Sequence, residues 1–203
     1  EFSRHALEVM RQPLEDHHVL ISRAKWSIDF PANFMLIASM NPCPCGYFNH
    51  PTKDCTCGEE AVKRYLNKIS GPLLDRIDLH IEVSPVAFED IRSPDLAEAS
   101  AHIRARVIAA RDRQRARFLD YPAVHANASM SSRLVGLFCS LNPDAEQMLQ
   151  QAMKRLQLSA RAYERILKVA RTIADLAGTP DIEIQHMAEA ITYRNLDREN
   201  WAG

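Results

Sequence analysis

Residues 159–177 read SARAYERILKVARTIADLA, and the apolar residues in this stretch recur at every third or fourth position. On a helix, this spacing collects the apolar side chains on one face and leaves the charged ones on the others. The predicted apolar face consists of Tyr163, Ile166, Leu167, Ala170, Ile173, Ala174 and Ala177. Such a face is stable only when it packs against other elements, so the stretch predicts one helix of a packed helical domain.

Helical patterns continue on both sides of this stretch, and no convincing strand follows residue 94. Further helices are predicted near residues 95–118, 131–139, 143–156 and 183–194. The break at Ser93-Pro94 is a candidate linker, because proline interrupts regular structure. We therefore predict an all-α domain over residues 95–203.

The N-terminal part, residues 1–94, mixes helix and strand patterns. A helix is predicted over residues 2–14, with Ser3 as its N-cap. Two short runs, residues 19–22 and 26–30, flank a basic segment, and the second run alternates apolar and polar residues. The two runs therefore predict a β-hairpin whose tip carries the positive charges.

An apolar run at residues 34–40 predicts a strand that is buried on both faces of a parallel sheet. A helix is predicted near residues 59–69, and residues 79–83 predict a further short strand with His80 and Glu82 on the face opposite its apolar residues. The predicted fold class is α/β plus all-α: an incomplete α/β layer with a hairpin and parallel strands, followed by the helical domain.

Composition and charge exclude several classes of protein. Hydrophobic residues make up 46% of the chain and charged residues 25%, as in ordinary soluble domains. The net charge of -1 gives no overall positive field, so any contact with nucleic acid has to come from a local patch. The chain has no long apolar run and no signal-peptide pattern, so we expect a cytoplasmic protein with no membrane partner. None of its six glycines lies in a phosphate-binding loop motif.

Four of the five cysteines lie close together, in two C-x-C pairs that are each followed by glycine. Zinc needs four ligands in a tetrahedron, and two tight turns can direct four sulfurs to one point. The candidate ligands are Cys43, Cys45, Cys55 and Cys57, and His50 could replace one of them. A structural zinc site is the preferred interpretation, with free thiols and disulfides as the alternatives. Cys139 is predicted to be a buried apolar residue.

Three strings of residues carry a resemblance to a known family. They are ASMNPCPCG at 38–46, GPLLDRIDLHIE at 71–82 and LSARAYERILKVARTIADL at 158–176. Together they resemble the magnesium-chelatase-like AAA+ ATPases of the ComM/YifB type, across nearly the whole chain. The resemblance implies an AAA+ core over residues 1–94 and a helical lid domain over residues 95–203. It also implies that the chain is the C-terminal part of such an ATPase, whose P-loop and acidic metal-binding strand lie upstream.

By this resemblance, Asn41 looks like sensor 1, a neutral amide that orients the attacking water near the γ-phosphate of ATP. The alternative is an asparagine that caps a turn before Pro42. Arg76 looks like an arginine finger that reaches the nucleotide of a neighbouring subunit. The alternative is a local ion pair, because Asp75 and Asp78 flank it.

Arg161 lies off the apolar face in the first turn of the helix predicted at residues 159–177. A cation there opposes the helix dipole, at a cost of a few tenths to about 1 kcal/mol, so an anion is a sensible partner. The resemblance makes Arg161 a counterpart of sensor 2, which contacts nucleotide phosphate from the lid. A solvated arginine paired with Glu164 is the alternative.

The hairpin tip, formed by Arg23, Lys25 and Trp26, resembles the hairpin that precedes sensor 1 in this branch of AAA+ proteins. The basic side chains would follow phosphates while Trp26 stacks on a base, which predicts a nucleic-acid contact. An ordinary exposed hairpin, or a tryptophan in the core, is the alternative. The helix near residues 102–117 carries six arginines on several faces, a pattern that favours a solvated or subunit-facing helix.

The resemblance implies a ring-forming, hexameric ATPase that uses ATP and Mg²⁺ to remodel DNA, as a helicase or in branch migration during competence. Without the P-loop, this chain by itself is expected to be inactive. A chelatase-type motor that inserts a metal into a porphyrin is one alternative function. A zinc-stabilised interaction module with no motor role is the other.

Overall fold

The structure, a computed structural model, describes residues 2–86 and 98–194. These residues form two compact units, of which the first ends at Ile77 and the second begins at Asp78. The domain break predicted at Ser93-Pro94 lies outside the described residues. In neither described range is any helix long and apolar enough to cross a membrane.

The first unit combines short helices with one hairpin. Its elements are α1 (Arg4–Val9), α2 (Arg11–Asp16), β1 (His18–Arg23), β2 (Trp26–Pro31), α3 (Glu59–Leu66) and α4 (Gly71–Leu74). Ser3 caps α1 as predicted, and its Oγ accepts a hydrogen bond from the Ala6 N–H at 3.2 Å. The helix predicted over residues 2–14 is instead two helices. Pro13 has no N–H for a continuous helix, so it lies in the first turn of α2, where none is needed.

The predicted hairpin is confirmed. Its two strands pair antiparallel, from His18 opposite Pro31 to Arg23 opposite Trp26, so that Ala24 and Lys25 form the turn. This hairpin is the one sheet within the described residues.

The two predicted parallel strands are wrong. Residues 34–40 and 79–83 have no regular secondary structure, and Met35 and Ile37 are 83% and 82% exposed. A strand needs a partner strand for its backbone N–H and C=O groups, and among the described residues no strand pairs with either run. In the second run His80 is buried and donates its backbone N–H to the carbonyl of Tyr193 at 2.8 Å.

The second unit is helical. Its elements are α5 (Ser100–Arg117), a 3-10 turn (Asn127–Ser129), α6 (Ser132–Phe138), α7 (Pro143–Leu156), α8 (Ala160–Ala177) and α9 (Ile184–Thr192). The predicted helices are confirmed within the described residues, with ends that shift by a few positions. One isolated parallel bridge joins Leu141 to Ile182.

The α8 helix packs against α5, α6 and α9 at the centre of this unit. The middle of its predicted apolar face is buried, whereas Tyr163 and Ala177 at the two ends are exposed. The buried members of that face are Ile166, Leu167, Ala170 and Ala174. Their burial confirms the helical period in residues 159–177.

A polar network that the sequence did not predict lies beside this core. The carboxylate of Asp175 is fully buried and accepts hydrogen bonds from Arg117 at 2.7 Å and from the Asn127 amide at 2.8 Å. Arg171, also buried, lies 3.3 Å from the same carboxylate and donates to the carbonyl of Pro180 at 2.6 Å. The network ties α8 to α5, to the 3-10 turn and to the loop that follows α8.

Candidate functional site

Four cysteine sulfurs converge in the first unit. The Sγ atoms of Cys43, Cys45, Cys55 and Cys57 all lie within 4.8 Å of one another. Cys43 is 3.3 Å from Cys45 and 3.6 Å from Cys55. Four sulfurs held by zinc at about 2.3 Å in a tetrahedron lie about 3.8 Å apart, so the cluster fits a Zn²⁺ ion with little movement.

Two turns bring the sulfur pairs together. Gly46 has a φ of +84°, which favours glycine, and its N–H closes the first turn on the Cys43 carbonyl at 3.0 Å. The second pair comes just before Gly58, the N-cap residue of α3. Cys43 is fully buried in the same apolar cluster as Val62 and Leu66 of that helix. The folded loop therefore holds the sulfurs in place through contacts with α3.

The environment of the sulfurs favours a bound cation. A hydrogen bond from the Tyr47 backbone is the main cause that lowers the pKa of Cys45, to about 5. The backbone at Cys57 lowers the pKa of Cys55, but burial and the nearby thiols of Cys45 and Cys43 raise it to about 12. One thiolate thus opposes the formation of the next, and a divalent cation removes that opposition.

Other contacts favour the four cysteines as the metal ligands over a set in which His50 replaces one of them. The Phe48 N–H donates to the Cys43 sulfur at 3.3 Å, as an outer-shell donor to a metal thiolate does. The ring of His50, the alternative ligand, contacts the Thr52 N–H at 3.2 Å and the ring of Tyr47. Cys139 is buried in the core of the second unit, as predicted. All five cysteines are free.

The predicted nucleic-acid residues meet at the hairpin tip. The Arg23 guanidinium lies 6.0 Å from the centre of the Trp26 ring, and Lys25 is exposed in the turn between them. Trp26 is 50% exposed, so the alternative of a tryptophan in the core is wrong. A cation stacked beside an open indole face suits a phosphate and a base.

Asn41 is exposed in the loop before Pro42. Its predicted position at the end of a strand is wrong, because residues 34–40 form no strand. It lies two residues before Cys43, so the cysteine cluster holds the loop in which it sits.

Arg76 follows α4 in the first unit, and its side chain is only 10% exposed. Its guanidinium donates to the Pro72 carbonyl at 2.6 Å and pairs with the Glu15 carboxylate at 2.5 Å. Glu15 lies far from Arg76 in sequence, so no local pattern predicts this pair. Asp78, one of the two flanking acids, forms an ion pair with Arg165.

Arg161 belongs to the second unit, as the second residue of α8. It is exposed in the first turn, where the sequence predicted it. Ser159 caps the helix and accepts the Ala162 N–H at 3.2 Å, so the cation lies beside the positive end of the helix dipole.

The structure also gathers a basic groove that the sequence analysis missed. Its lining residues are Arg4, Glu60, Lys63, Arg64, Asn67 and Lys68. The basic residues of α3 are the part of this groove that a local sequence pattern could have indicated. Arg4 joins them only through the folding of the first unit.

Comparison with known proteins places the chain in a family. The model described as magnesium chelatase, subunit ChlI, matches residues 1–91, and the model of its C-terminal part matches residues 97–194. Competence protein ComM of Haemophilus influenzae is 43% identical over 199 residues, and YifB of Salmonella typhimurium is 41% identical over 200. YifB of Escherichia coli is 40% identical over 200 residues.

These alignments cover 98% of the chain and 38% of each relative, so the chain spans well under half the length of the proteins it matches. The two family models together cover both units. The chain therefore belongs to the magnesium chelatase subunit ChlI family, and within it to the ComM and YifB type.

Proposed function

We propose that the chain is part of a ring-forming, hexameric AAA+ ATPase that uses ATP and Mg²⁺ to remodel DNA in the cytoplasm. Family membership and the similarity to a competence protein support the motor. The observation that carries the DNA part is the exposed hairpin tip, where Arg23, Lys25 and Trp26 offer two cations beside an open aromatic ring. Cations follow a phosphate backbone, and an indole ring stacks on any base, so such a tip suits a strand that moves.

In this proposal Arg76 is the arginine finger. Its present partners, Glu15 and the Pro72 carbonyl, hold the guanidinium in a fixed direction while no nucleotide is near. A γ-phosphate carries more negative charge than one carboxylate, so a neighbouring subunit's nucleotide would compete for the same guanidinium.

Asn41 and Arg161 complete the proposed nucleotide contacts. Asn41 would orient the attacking water as sensor 1, with its loop held by the cysteine cluster. Arg161 would contact a phosphate as sensor 2. The anion would offset the unfavourable position of a cation at the start of α8.

The cysteine cluster is proposed to hold a structural Zn²⁺. Four thiolates close the coordination sphere, so the ion has no open position for a substrate or water. Its contribution is to fix the loop and α3, which pack on Cys43.

The experiment that tests the function measures ATP hydrolysis by the complete protein with and without single-stranded or branched DNA. We expect DNA to stimulate hydrolysis, and Lys25→Glu to remove the stimulation while leaving the basal rate unchanged. Lys154→Glu, at an exposed position of α7 in the second unit, is the control with the same change of charge. If DNA does not change the rate of ATP hydrolysis by the wild-type protein, the DNA assignment is contradicted.

A chelatase-type motor is the second candidate, because both matching family models are those of magnesium chelatase. It predicts that a porphyrin and Mg²⁺, rather than DNA, stimulate hydrolysis and that the product is the metallated porphyrin. Absorption spectra of the porphyrin distinguish the two motors. If the complete protein binds no ATP, the result would favour the alternative of a zinc-stabilised interaction module.

A further inference from the structure

A groove in the first unit collects positive charge away from the hairpin. It has a volume of about 620 Å³ and is lined by four cationic side chains, one carboxylate and one amide. The cations are Arg4, Lys63, Arg64 and Lys68. The four cations line the same groove, so an anion that enters it is attracted by several of them at once.

The packing of α3 on Cys43 determines which face of the helix lines the groove. Val62 and Leu66 turn inward and pack on Cys43, which leaves Lys63, Arg64 and Asn67 exposed on the other side of the helix. The groove therefore depends on the same contacts that hold the cysteine cluster.

The α1 helix supplies the remaining wall. Arg4 is its first residue, and the Ser70 side chain lowers the pKa of Glu8, which lies one turn after Arg4. Ser70 is also the N-cap of α4, where its Oγ accepts the Leu73 N–H at 3.3 Å. These contacts tie α1 to the segment that follows α3 and keep Arg4 at the groove.

The cations of the groove are available to a ligand. Among the described residues, no carboxylate lies within ion-pair distance of Arg4, Lys63 or Arg64. Lys68 also lines the groove, and its ammonium nitrogen lies 5.7 Å from the centre of the Tyr65 ring. Guanidinium, ammonium and amide donors together are the groups that proteins use on phosphate oxygens.

We infer that this groove binds the phosphate backbone of nucleic acid, as a second contact besides the hairpin tip. The inference rests on the proposed action on DNA, because a free nucleotide offers the same phosphate chemistry. A nucleic-acid backbone carries its phosphates in a row and can follow an open groove. A free nucleotide carries its phosphates in one cluster.

The test measures binding of a fluorescent single-stranded DNA to the 203-residue chain over a range of salt concentrations. In Lys63→Gln/Arg64→Gln, two phosphate contacts are lost. The slope of log affinity against log salt should fall by about 1.4, and the affinity near 0.1 M salt by about tenfold or more. The matched control, Arg104→Gln/Arg111→Gln, removes the same charge from exposed positions of α5 and should change affinity less than about threefold. Equal losses in both variants would overturn the inference.

Two further arms separate the groove from the other proposals. If Lys25→Glu weakens DNA binding but the groove variant does not, the groove assignment fails and the proposed function stands. If the wild-type chain binds no DNA, both DNA assignments fail. If the groove variant loses affinity for ATP but keeps its affinity for DNA, the groove is a nucleotide site and the inference is wrong. Zinc content and far-UV circular dichroism should match the wild type, because both substituted residues are exposed.

Discussion

Cys43 is the fully buried member of the cysteine cluster, and its sulfur accepts a hydrogen bond from the backbone of Phe48. Cys139 is also buried, as the one cysteine in the core cluster of the second unit, and burial raises the pKa of its thiol to about 11. A single thiol cannot supply the four ligands of a structural zinc site, whereas four clustered thiols can, and they lose their protons when the ion binds. Both cysteines are therefore buried, but Cys43 has three other cysteines as neighbours and Cys139 has apolar residues.

We expect the purified chain to contain about one equivalent of zinc and Cys43→Ser to retain less than half of it. Removing a ligand also loosens α3, so the first unit should melt at a lower temperature. Metal analysis after gentle purification measures the zinc, and Cys139→Ser is the control that should keep it. Less than half an equivalent in the wild-type chain, with its thiols intact, would count against a structural site.

Asp175 is the buried carboxylate on which two arginines depend, because Arg117 and Arg171 both contact it. Asp175→Ala leaves the two cations with neutral oxygen acceptors and no opposite charge, so the second unit should lose about 3–5 kcal/mol of unfolding free energy. Urea unfolding monitored by circular dichroism gives the value. Asp112→Ala, which breaks the exposed pair with Arg115, should cost less than about 1 kcal/mol. Similar losses in the two variants would show that the network contributes little.

The α8 helix has a defined beginning and end. Ser159 caps its first turn, and Gly178 ends it with a φ of +82°. The central part of its apolar face is buried, so the spacing in residues 159–177 predicted both the helix and its packing face. The parallel strands were mispredicted because an apolar run does not determine whether a partner strand lies beside it.

Glycine positions in two helices should respond oppositely to alanine. Gly178→Ala forces a left-handed backbone on alanine and brings its Cβ within 3.1 Å of Arg113, so the second unit should lose about 1–2 kcal/mol. Gly136→Ala lies inside α6 with open space around the new Cβ, so it should gain about 0.5–1 kcal/mol. Thermal unfolding of both variants checks the pair, and two changes of the same sign would contradict it.

The proposed motor needs a loop that holds the phosphates of ATP. The sequence contains no phosphate-binding loop, so the purified 203-residue chain should show no ATP turnover above background. A phosphate-release assay measures this. Robust turnover in a clean preparation would show that the nucleotide site lies within these residues.

In the complete protein, Arg76→Ala should lower kcat by about a thousandfold or more, with little change in nucleotide affinity, because an arginine finger acts in the transition state. Steady-state ATP hydrolysis and nucleotide binding separate the two effects. Arg11→Ala, which breaks the partly exposed pair with Glu8, is the control and should leave kcat within about threefold. A variant that loses affinity and kcat together would favour a structural role for the pair with Glu15.

Local patterns in the sequence determined the hairpin, the helices of the second unit, the cysteine pairs and the position of Arg161. Each of these depends on residues only a few positions apart, where periodicity and turn chemistry act directly. The pairing of Arg76 with Glu15, the pairing of Asp175 with Arg117 and the approach of Arg4 to α3 across a basic groove come from the tertiary structure alone. Those contacts join residues that are distant along the chain, and which distant groups meet depends on how the elements pack.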